Sequence, residues 1–557
     1  MGFLGILEDK HLQHVPATVI LSEEEHHRSE ATAGLKHGKG SNADIILIPQ
    51  PSEDPNDPLN WPTSKKLVVM SIIAFGSIIY AAVLSPLMSP VLVVVALEFN
   101  KSVGDITVIS GYMLLVTGCA GPLVSAASRK WGKRPMLLLA SLFGLLGTII
   151  VSATNTYDGL LAGRIIQGGS VSAFESVVVA LIGDLFFVHQ RGTYMTVIQF
   201  ILGAASNFSA IIVGPIATNL GWKYLFHLLI AFTAFETIML YLFCPETAYN
   251  RDHRYDIDEL ADDHLADLAA IEKRHAGGSD TKSGSDVVKV ETANSTSPAY
   301  RPKKTFVQEL AIFTGTYSDD NLLQLVIAPF AVCANLAVLW MVIVTGGLTA
   351  FFVAQSYDMA QIFMAPPYLL DAAQVGYLSL GPFLGGLLGS IFLGATLDPL
   401  IKWCAKKNGG VYEPEYRLIG MIPSLLTVVG LFVFGYMCEN FYSYYATATF
   451  HGVDLFGIVC AAIASGAYII DAYRDMSSEI FIANMVFKNF LFYGFSYFVN
   501  DWTAEAGPAT VFYVFGGVSA AMILTTPVFF YWGKRYRSFW HRHNVLEKWG
   551  IRTHAEL

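Results

Sequence analysis

The stretch Leu160–Asp184, LLAGRIIQGGSVSAFESVVVALIGD, decides how the chain is read. It is long and apolar enough to cross a bilayer as one helix, yet it holds Arg164, Gln167 and Glu175. A charge at membrane depth is costly, so such groups face a cavity or a partner. The helical step of about 100° per residue puts Arg164, Gln167, Gly168, Val171 and Glu175 within about 100° of one another. Arg164 and Glu175 therefore share a face, roughly 16 Å apart along the axis. Two opposite charges on one stripe predict a polar path through a bundle of helices.

The rest of the chain supplies that bundle. Of its 557 residues 53% are hydrophobic and 14% charged. Many of its apolar runs exceed the roughly 18 residues that a membrane crossing needs. The fold class expected is an all-α membrane protein. The net charge of −10, concentrated in the tail and linker, argues against a nucleic-acid partner. Cys119, Cys244, Cys333, Cys404, Cys438 and Cys460 show no metal spacing and are expected as free thiols. The start, MGFLGILEDK, is too short and acidic for a signal peptide.

Spanning helices are predicted at 67–90, 106–127, 135–153, 159–183, 193–217 and 222–244, then at 325–352, 372–396, 416–438, 453–474, 480–500 and 508–531. Six and six make an internal repeat at the level of hydropathy, two six-helix bundles with a polar link between. Five segments result: a disordered tail 1–64, a bundle 65–245, a linker 246–322, a bundle 323–532 and a tail 533–557. Within the linker, Asp256–Arg274 places Ile257, Leu260, His264, Leu268 and Ile271 on one face, an amphipathic helix. The pair His26-His27 reads as part of a solvated tail. Lys65, Lys66, Arg129, Lys130, Lys133, Arg134, Arg191, Lys402, Arg417, Arg474 and Lys534 fall on one side of the membrane; Lys101 and Lys223 fall on the other. Basic loops stay inside, so both termini and the linker are expected in the cytosol. Of three sequons, Asn100 is the glycosylation candidate in an outside loop; Asn207 lies in a helix and Asn294 in the linker.

Further polar residues enter the apolar runs. A carboxylate facing a cavity can take a proton on one side and release it on the other, because burial favours its neutral form and a nearby cation its charged form. Arg164 and Glu175 are the candidates for proton coupling. Lys488 lies near mid-depth in the eleventh helix, with Asn484 one turn away and Asn489 beside it. An unpaired lysine there needs a carboxylate, a cavity or a negative ligand, and Glu175 from the other half is a suitable partner. Glu236 is also at membrane depth, on the sixth helix. Gln167, Tyr80, Asn335, Trp340, Asn484 and Lys488 are the candidates for lining a substrate cavity. Pro86 and Pro90 interrupt the first helix; Gly346-Gly347, Gly381-Pro382 and Gly385-Gly386 permit bends or close packing in the seventh and eighth.

Several motifs carry a family resemblance. SAASRKWGKRP, Ser125 to Pro135, is similar to the G-x-x-x-D-R-x-G-R-R loop of the major facilitator superfamily at Lys130, Gly132, Lys133 and Arg134. It departs where Ser125 replaces Gly and where Arg129 stands at the usual Asp. Gly394-x-x-x-Asp398 resembles the matching loop of the second half. Arg164-x-x-Gln167-Gly168 resembles the fourth-helix motif that the family associates with proton coupling, and Gly214-Pro215 resembles the core of the antiporter motif. DPNDPLNWPTSKK, NGGVYEPEYRL (Asn408 to Leu418), DAYRDMSSE (Asp471 to Glu479) and FKNFLFYGFSYFVNDW are similar to fungal twelve-helix drug:proton antiporters, including a branch with a yeast cation and polyamine permease. The resemblance implies the major facilitator fold and basic-side gating loops at Lys130, Gly132, Lys133, Arg134, Asp184, Arg191, Asp398, Arg417, Asp471 and Arg474.

The function expected is secondary active, proton-coupled efflux of a small organic compound, a xenobiotic or secondary metabolite, by alternating access in the plasma membrane. Proton-coupled uptake of a cationic nutrient such as a polyamine is the alternative, and a non-transporting nutrient receptor a third reading. No phosphate-cradling Gly-x-x-x-x-Gly-Lys-Ser/Thr loop is present, so ATP is not expected, nor any other cofactor or metal. No enzyme is expected. The partners are the substrate, protons and the lipid bilayer, and a monomer is expected to suffice.

Overall fold

The computed structural model describes residues 3–9, 11–12, 15–20, 49, 51–52, 54–249, 302–551 and 553. Helices dominate, because a chain in hydrocarbon must satisfy its backbone internally. In the first half α1 spans Thr63–Phe99, α2 Val103–Trp131, α3 Lys133–Ala153 and α4 Tyr157–Leu185. Next come α5 at 188–220 and α6 at Lys223–Phe243. In the second half α7 spans Leu336–Met364, α8 Ala372–Lys407, α9 Pro414–Glu439 and α10 Tyr444–Ala472. The last elements are α11 Ser477–Ser496, α12 Pro508–Ile523 and α13 Thr526–Arg542. Eleven stretches of the described residues are long and apolar enough to cross a membrane. The twelfth crossing is α11, whose apolarity is diluted by Glu479, Asn484, Lys488 and Asn489. The protein is a multi-pass membrane protein of two six-helix bundles.

Starts and breaks follow local chemistry. The Ser102 hydroxyl accepts from the Asp105 amide at 3.0 Å, and Asp105 accepts from the Ser102 amide at 3.1 Å, a reciprocal cap on α2. Thr156 caps α4 at the Gly159 amide. In α1, Ser77–Leu84 is π-helical and Pro86–Val91 is a 3₁₀ turn. Pro86 and Pro90 have no amide hydrogen to offer preceding carbonyls, so the helix cannot continue regularly there. The paired glycines of α7 and α8 serve close packing instead. A Cβ at Gly385 would fall 1.9 Å from the Gly452 carbonyl oxygen on α10, and one at Gly346 would fall 2.7 Å from the Phe487 ring.

Within the first bundle α4 packs on α2 and α3; within the second α10 packs on α8 and α9. The halves meet along α2–α11, α5–α8 and α1–α7. The end of the molecule that carries the α2–α3, α4–α5, α8–α9 and α10–α11 loops holds most of the Lys and Arg and is called the basic end below.

Two expectations need correcting. The seventh helix starts at Leu336, not near 325, because the Asn335 side chain accepts from the Ala337 amide at 2.9 Å and starts a new helix. The preceding apolar residues form a separate short helix, Leu322–Ala331. The tail 1–64 is also not structureless throughout. Ile6 is buried, Leu7 donates its amide to the Tyr531 carbonyl at 3.1 Å, and Glu8 meets Lys534 at 2.6 Å. Strand β1, Val19–Ile20, pairs antiparallel with β2, Val411–Tyr412. The buried Arg537 fixes this segment through the Pro16 carbonyl and Thr18. The amphipathic stretch Asp256–Arg274, His26-His27 and Asn294 lie outside the described residues. All six cysteines are free thiols.

Candidate functional site

The interior of α4 is apolar or small from Val171 to Gly183 apart from Glu175, and every one of those residues is buried. Glu175 lies ten residues before the end of α4 at Leu185, about 15 Å along the axis. Lys488 lies eleven residues into α11, about 17 Å from its start. The two come together midway through the molecule, Lys488 Nζ donating to Glu175 Oε1 at 3.1 Å. The pair joins the first half to the second. Its side chains are 28% and 11% exposed, so it borders an open space rather than dry packing. Lys488 keeps donor capacity beyond this single bond, and Glu175 Oε2 has no hydrogen-bond partner among the described residues.

Arg164 is wholly buried toward the opposite end. It donates to the Leu84 carbonyl at 2.8 Å, the Ser85 carbonyl at 3.1 Å and Gln167 Oε1 at 3.1 Å. Leu84 and Ser85 sit where α1 is irregular, so the guanidinium is fitted to carbonyls that a regular helix would hold for itself. Gln167 is held in turn by Thr148 at 3.2 Å.

Of the other cavity candidates, Asn484 is close: it accepts from Thr345 at 2.9 Å, one turn from Lys488, and ties α11 to α7. The remaining three are placed elsewhere. Tyr80 is wholly buried inside the first bundle, stacked on Phe174 at 4.6 Å. Asn335 is the cap of α7. Trp340 donates to Thr525 at 2.7 Å and stacks on Phe529 at 4.6 Å, inside the second bundle. Helical spacing alone does not say which side of a buried helix faces the path and which faces its own bundle.

At the basic end the closest tie between halves is a pair the motif comparison passed over. Arg129 on α2 meets Glu479 on α11 at 2.6 Å, with side chains 8% and 1% exposed. This pair joins the two halves with the cation on α2 and the acid on α11. Other gating candidates act within one half or on the linker. Lys133 pairs with Asp184 at 2.6 Å and donates to the Ala180 carbonyl at 2.9 Å. Arg134 donates to the Tyr241, Cys244 and Leu310 carbonyls. Arg191 donates to the Gly183 and Phe186 carbonyls, and Lys130 to the Asp320 carbonyl. Gly132 takes a φ of 98° against Glu246, which accepts from the Lys133 and Arg134 amides at 2.9 and 3.1 Å. Burial pushes the Glu246 carboxyl above its usual range, and these amide bonds oppose the shift. In the second half Arg417 pairs with Asp471 and lies 3.9 Å from the exposed Asp398. Arg474 opens the 3₁₀ turn Arg474–Met476 between α10 and α11.

The opposite end is closed as well. Ser89 on α1 donates to the Ser356 carbonyl on α7 at 2.6 Å, and Tyr497 donates to Tyr112 at 2.8 Å. A Cβ at Gly214 on α5 would fall 2.4 Å from the Ala372 carbonyl oxygen on α8, and the Ala373 amide donates to Thr218 at 3.0 Å. Asn100, in an exposed left-handed cap of α1, is at this end. The halves therefore touch at both ends with the Glu175–Lys488 pair between them, an occluded arrangement.

Comparison with known proteins agrees with this architecture. The family model described as Major Facilitator Superfamily matches residues 69–492. The chain is 26% identical over 553 residues to the uncharacterized MFS-type transporter C1271.10c of Schizosaccharomyces pombe, covering 95% of this chain and 94% of that one. It is 21% identical to Protein HOL1 of Saccharomyces cerevisiae, covering 92% and 94%, and 25% identical to the efflux pump radE of Floropilus chiversii, covering 91% and 88%. Among solved structures, the partially occluded inward-open xylose transporter XylE from E. coli superposes with a TM-score of 0.54 at 12% identity, over 83% of this chain and 99% of that one.

Proposed function

Because the chain belongs to the major facilitator superfamily, we propose that it is a proton-coupled secondary transporter that exports a small organic compound, a xenobiotic or secondary metabolite, by alternating access. The observation that carries this reading is the Glu175–Lys488 pair, one partially exposed ion pair joining the two halves midway along the path. In one conformation the charges attract and hold α4 against α11. Protonation of Glu175, or a substrate acceptor taken by Lys488, removes that attraction and lets the halves part. Arg164 positions α1 for the same movement, and Arg129–Glu479 closes the basic end while the opposite end opens. The basic end faces the cytosol, in the plasma membrane, with both termini and the 246–322 linker on that side. Asn100 then lies outside, where glycan could reach it. The chain works as a monomer and performs no covalent chemistry.

The second reading is uptake of a cationic compound such as a polyamine, with Glu175 as its counter-charge once Lys488 lets go. Purified protein in vesicles with an imposed pH gradient separates the two. Export predicts that an acidic outside compartment, relative to the binding-side interior, drives loaded compound out, and that an ionophore abolishes the drive. Accumulation of labelled spermidine with the inward proton gradient would establish the alternative. Flux insensitive to the gradient in every configuration would overturn proton coupling.

A further inference from the structure

Glu236 lies on α6 inside the first bundle and takes no part in the path just described. It is wholly buried, and among the described residues neither of its carboxylate oxygens has a hydrogen-bond partner. Its neighbours can be named element by element. On α1 it presses against Gly76, where a Cβ would lie 2.7 Å from Oε1, and it faces Tyr80. On α4 it meets the Phe174 side, whose ring would lie 2.3 Å from the same Cβ. On α3 the Ser141 carbonyl is engaged by Tyr80 at 3.4 Å. On α6 itself the Thr233 and Thr237 hydroxyls donate to the Leu229 and Thr233 carbonyls at 2.8 Å each. Among the described residues the titratable groups that interact with it are Tyr80 and Cys244, and neither is a cation. Arg134, at the end of α3, is engaged by the carbonyls of Tyr241, Cys244 and Leu310.

An ionised carboxylate with no cation and no donor, out of water, costs several kcal/mol, and such a group neutralises instead. Glu236 is therefore placed to hold a proton in the occluded arrangement. Its position gives that proton a lever. Gly76 is the last α-helical residue of α1 before the π-helical segment Ser77–Leu84, and Arg164 grips the carbonyls at the far end of the same segment. The irregular part of α1 is thus bracketed by Glu236 at one end and Arg164 at the other. If α1 moves, the space beside Gly76 opens, water reaches the carboxyl, and its ionised form becomes affordable.

We propose that Glu236 is a second proton-binding site, inside the first bundle, which is loaded when the molecule is occluded and unloads when α1 swings away. Its part in transport rests on the proton-coupled reading above; its protonation in the occluded state does not. Two measurements separate these. In infrared spectra of the full chain in lipid nanodiscs at neutral pH, wild type should show a protonated carboxylic-acid carbonyl band that Glu236→Gln removes. Glu236→Asp should shift that band without deleting it, and serves if the glutamine variant does not fold. A band of equal intensity in wild type and Glu236→Gln would overturn the site. In weakly buffered vesicles with a pH dye, Glu236→Gln should lower the protons moved per substrate by one while counterflow persists. An unchanged proton count would overturn its role in transport. If wild type itself moves no protons but the band behaves as expected, the coupling reading fails and the site stands.

Discussion

Separating Glu175 from Lys488 is the most direct perturbation of the path. At 3.1 Å the Coulomb attraction is about 5 kcal/mol with an effective dielectric of ~20. That figure is too large for a pair whose side chains are 28% and 11% exposed, since water screens them and one N–O contact is not bidentate. Exposed pairs contribute about 0.2–1 kcal/mol, and breaking a buried pair costs about 3–5. A coupling of about 2 kcal/mol lies between, roughly 30-fold in an equilibrium or a rate. The two single variants should not be equivalent. Glu175→Gln leaves a lysine that can turn toward water, whereas Lys488→Ala leaves the less exposed partner without its cation. Proton-driven flux in vesicles should fall about 30-fold in Glu175→Gln and further in Lys488→Ala. The double variant should be no worse than the poorer single, so the losses fail to multiply. The exchange Glu175→Lys with Lys488→Glu should recover part of the flux. Strictly multiplicative losses, with no recovery on exchange, would mean the two residues act separately and would refute the switch.

Exchange should also work at the basic end: Arg129→Glu alone should abolish closure there, a loss of several kcal/mol for so buried a pair, and Glu479→Arg should restore it, read by thiol cross-linking between α2 and α11. Arg164→Ala should reach the membrane but lose proton-driven transport, and Arg164→Lys should rescue it only partly, because one ammonium cannot reproduce the fork to Leu84, Ser85 and Gln167; surface expression and flux measured together test this. Gly214→Val should prevent closure of the opposite end, since even a Cβ meets the Ala372 carbonyl at 2.4 Å, and should leave an outside thiol label at Ser110→Cys permanently accessible. An impermeant thiol reagent added to intact cells should label Ser443→Cys and miss Lys406→Cys; the reverse would invert every direction assigned above.

The sequence exposed the bundle and the cross-half pair for the same reason: charges are rare in hydrocarbon, so each must be explained. Leu160–Asp184 was legible because Arg164 and Glu175 stand out against apolar neighbours. Lys488 was legible as a cation in need of an acid. Tyr80 and Trp340 were misplaced because an aromatic residue is equally at home on a bundle's interior and on a path, and periodicity cannot tell those faces apart. Asn335 was misplaced because the apolar run 325–352 hides a helix start; an Asn before a fresh apolar run was the available signal. Arg129–Glu479 was visible as a departure from a motif, but the acid that answers it lies 350 residues away. The docking of the described residues within 3–20 had no local signature, since the groups that seat it lie at 411–413 and 531–538.

That docking bears on how the protein is made. Glu8 and Lys534 are 526 residues apart, and β1 waits for β2 at 411–412. The described residues of segment 3–20 leave the ribosome before any of these partners exist: β2 follows eight crossings, and Lys534 follows all twelve. Its seating is among the last events of biogenesis, and it reports that the second bundle has been completed. A bulky fusion placed before residue 3 would act at that late step, on maturation, rather than on the insertion of the first helices.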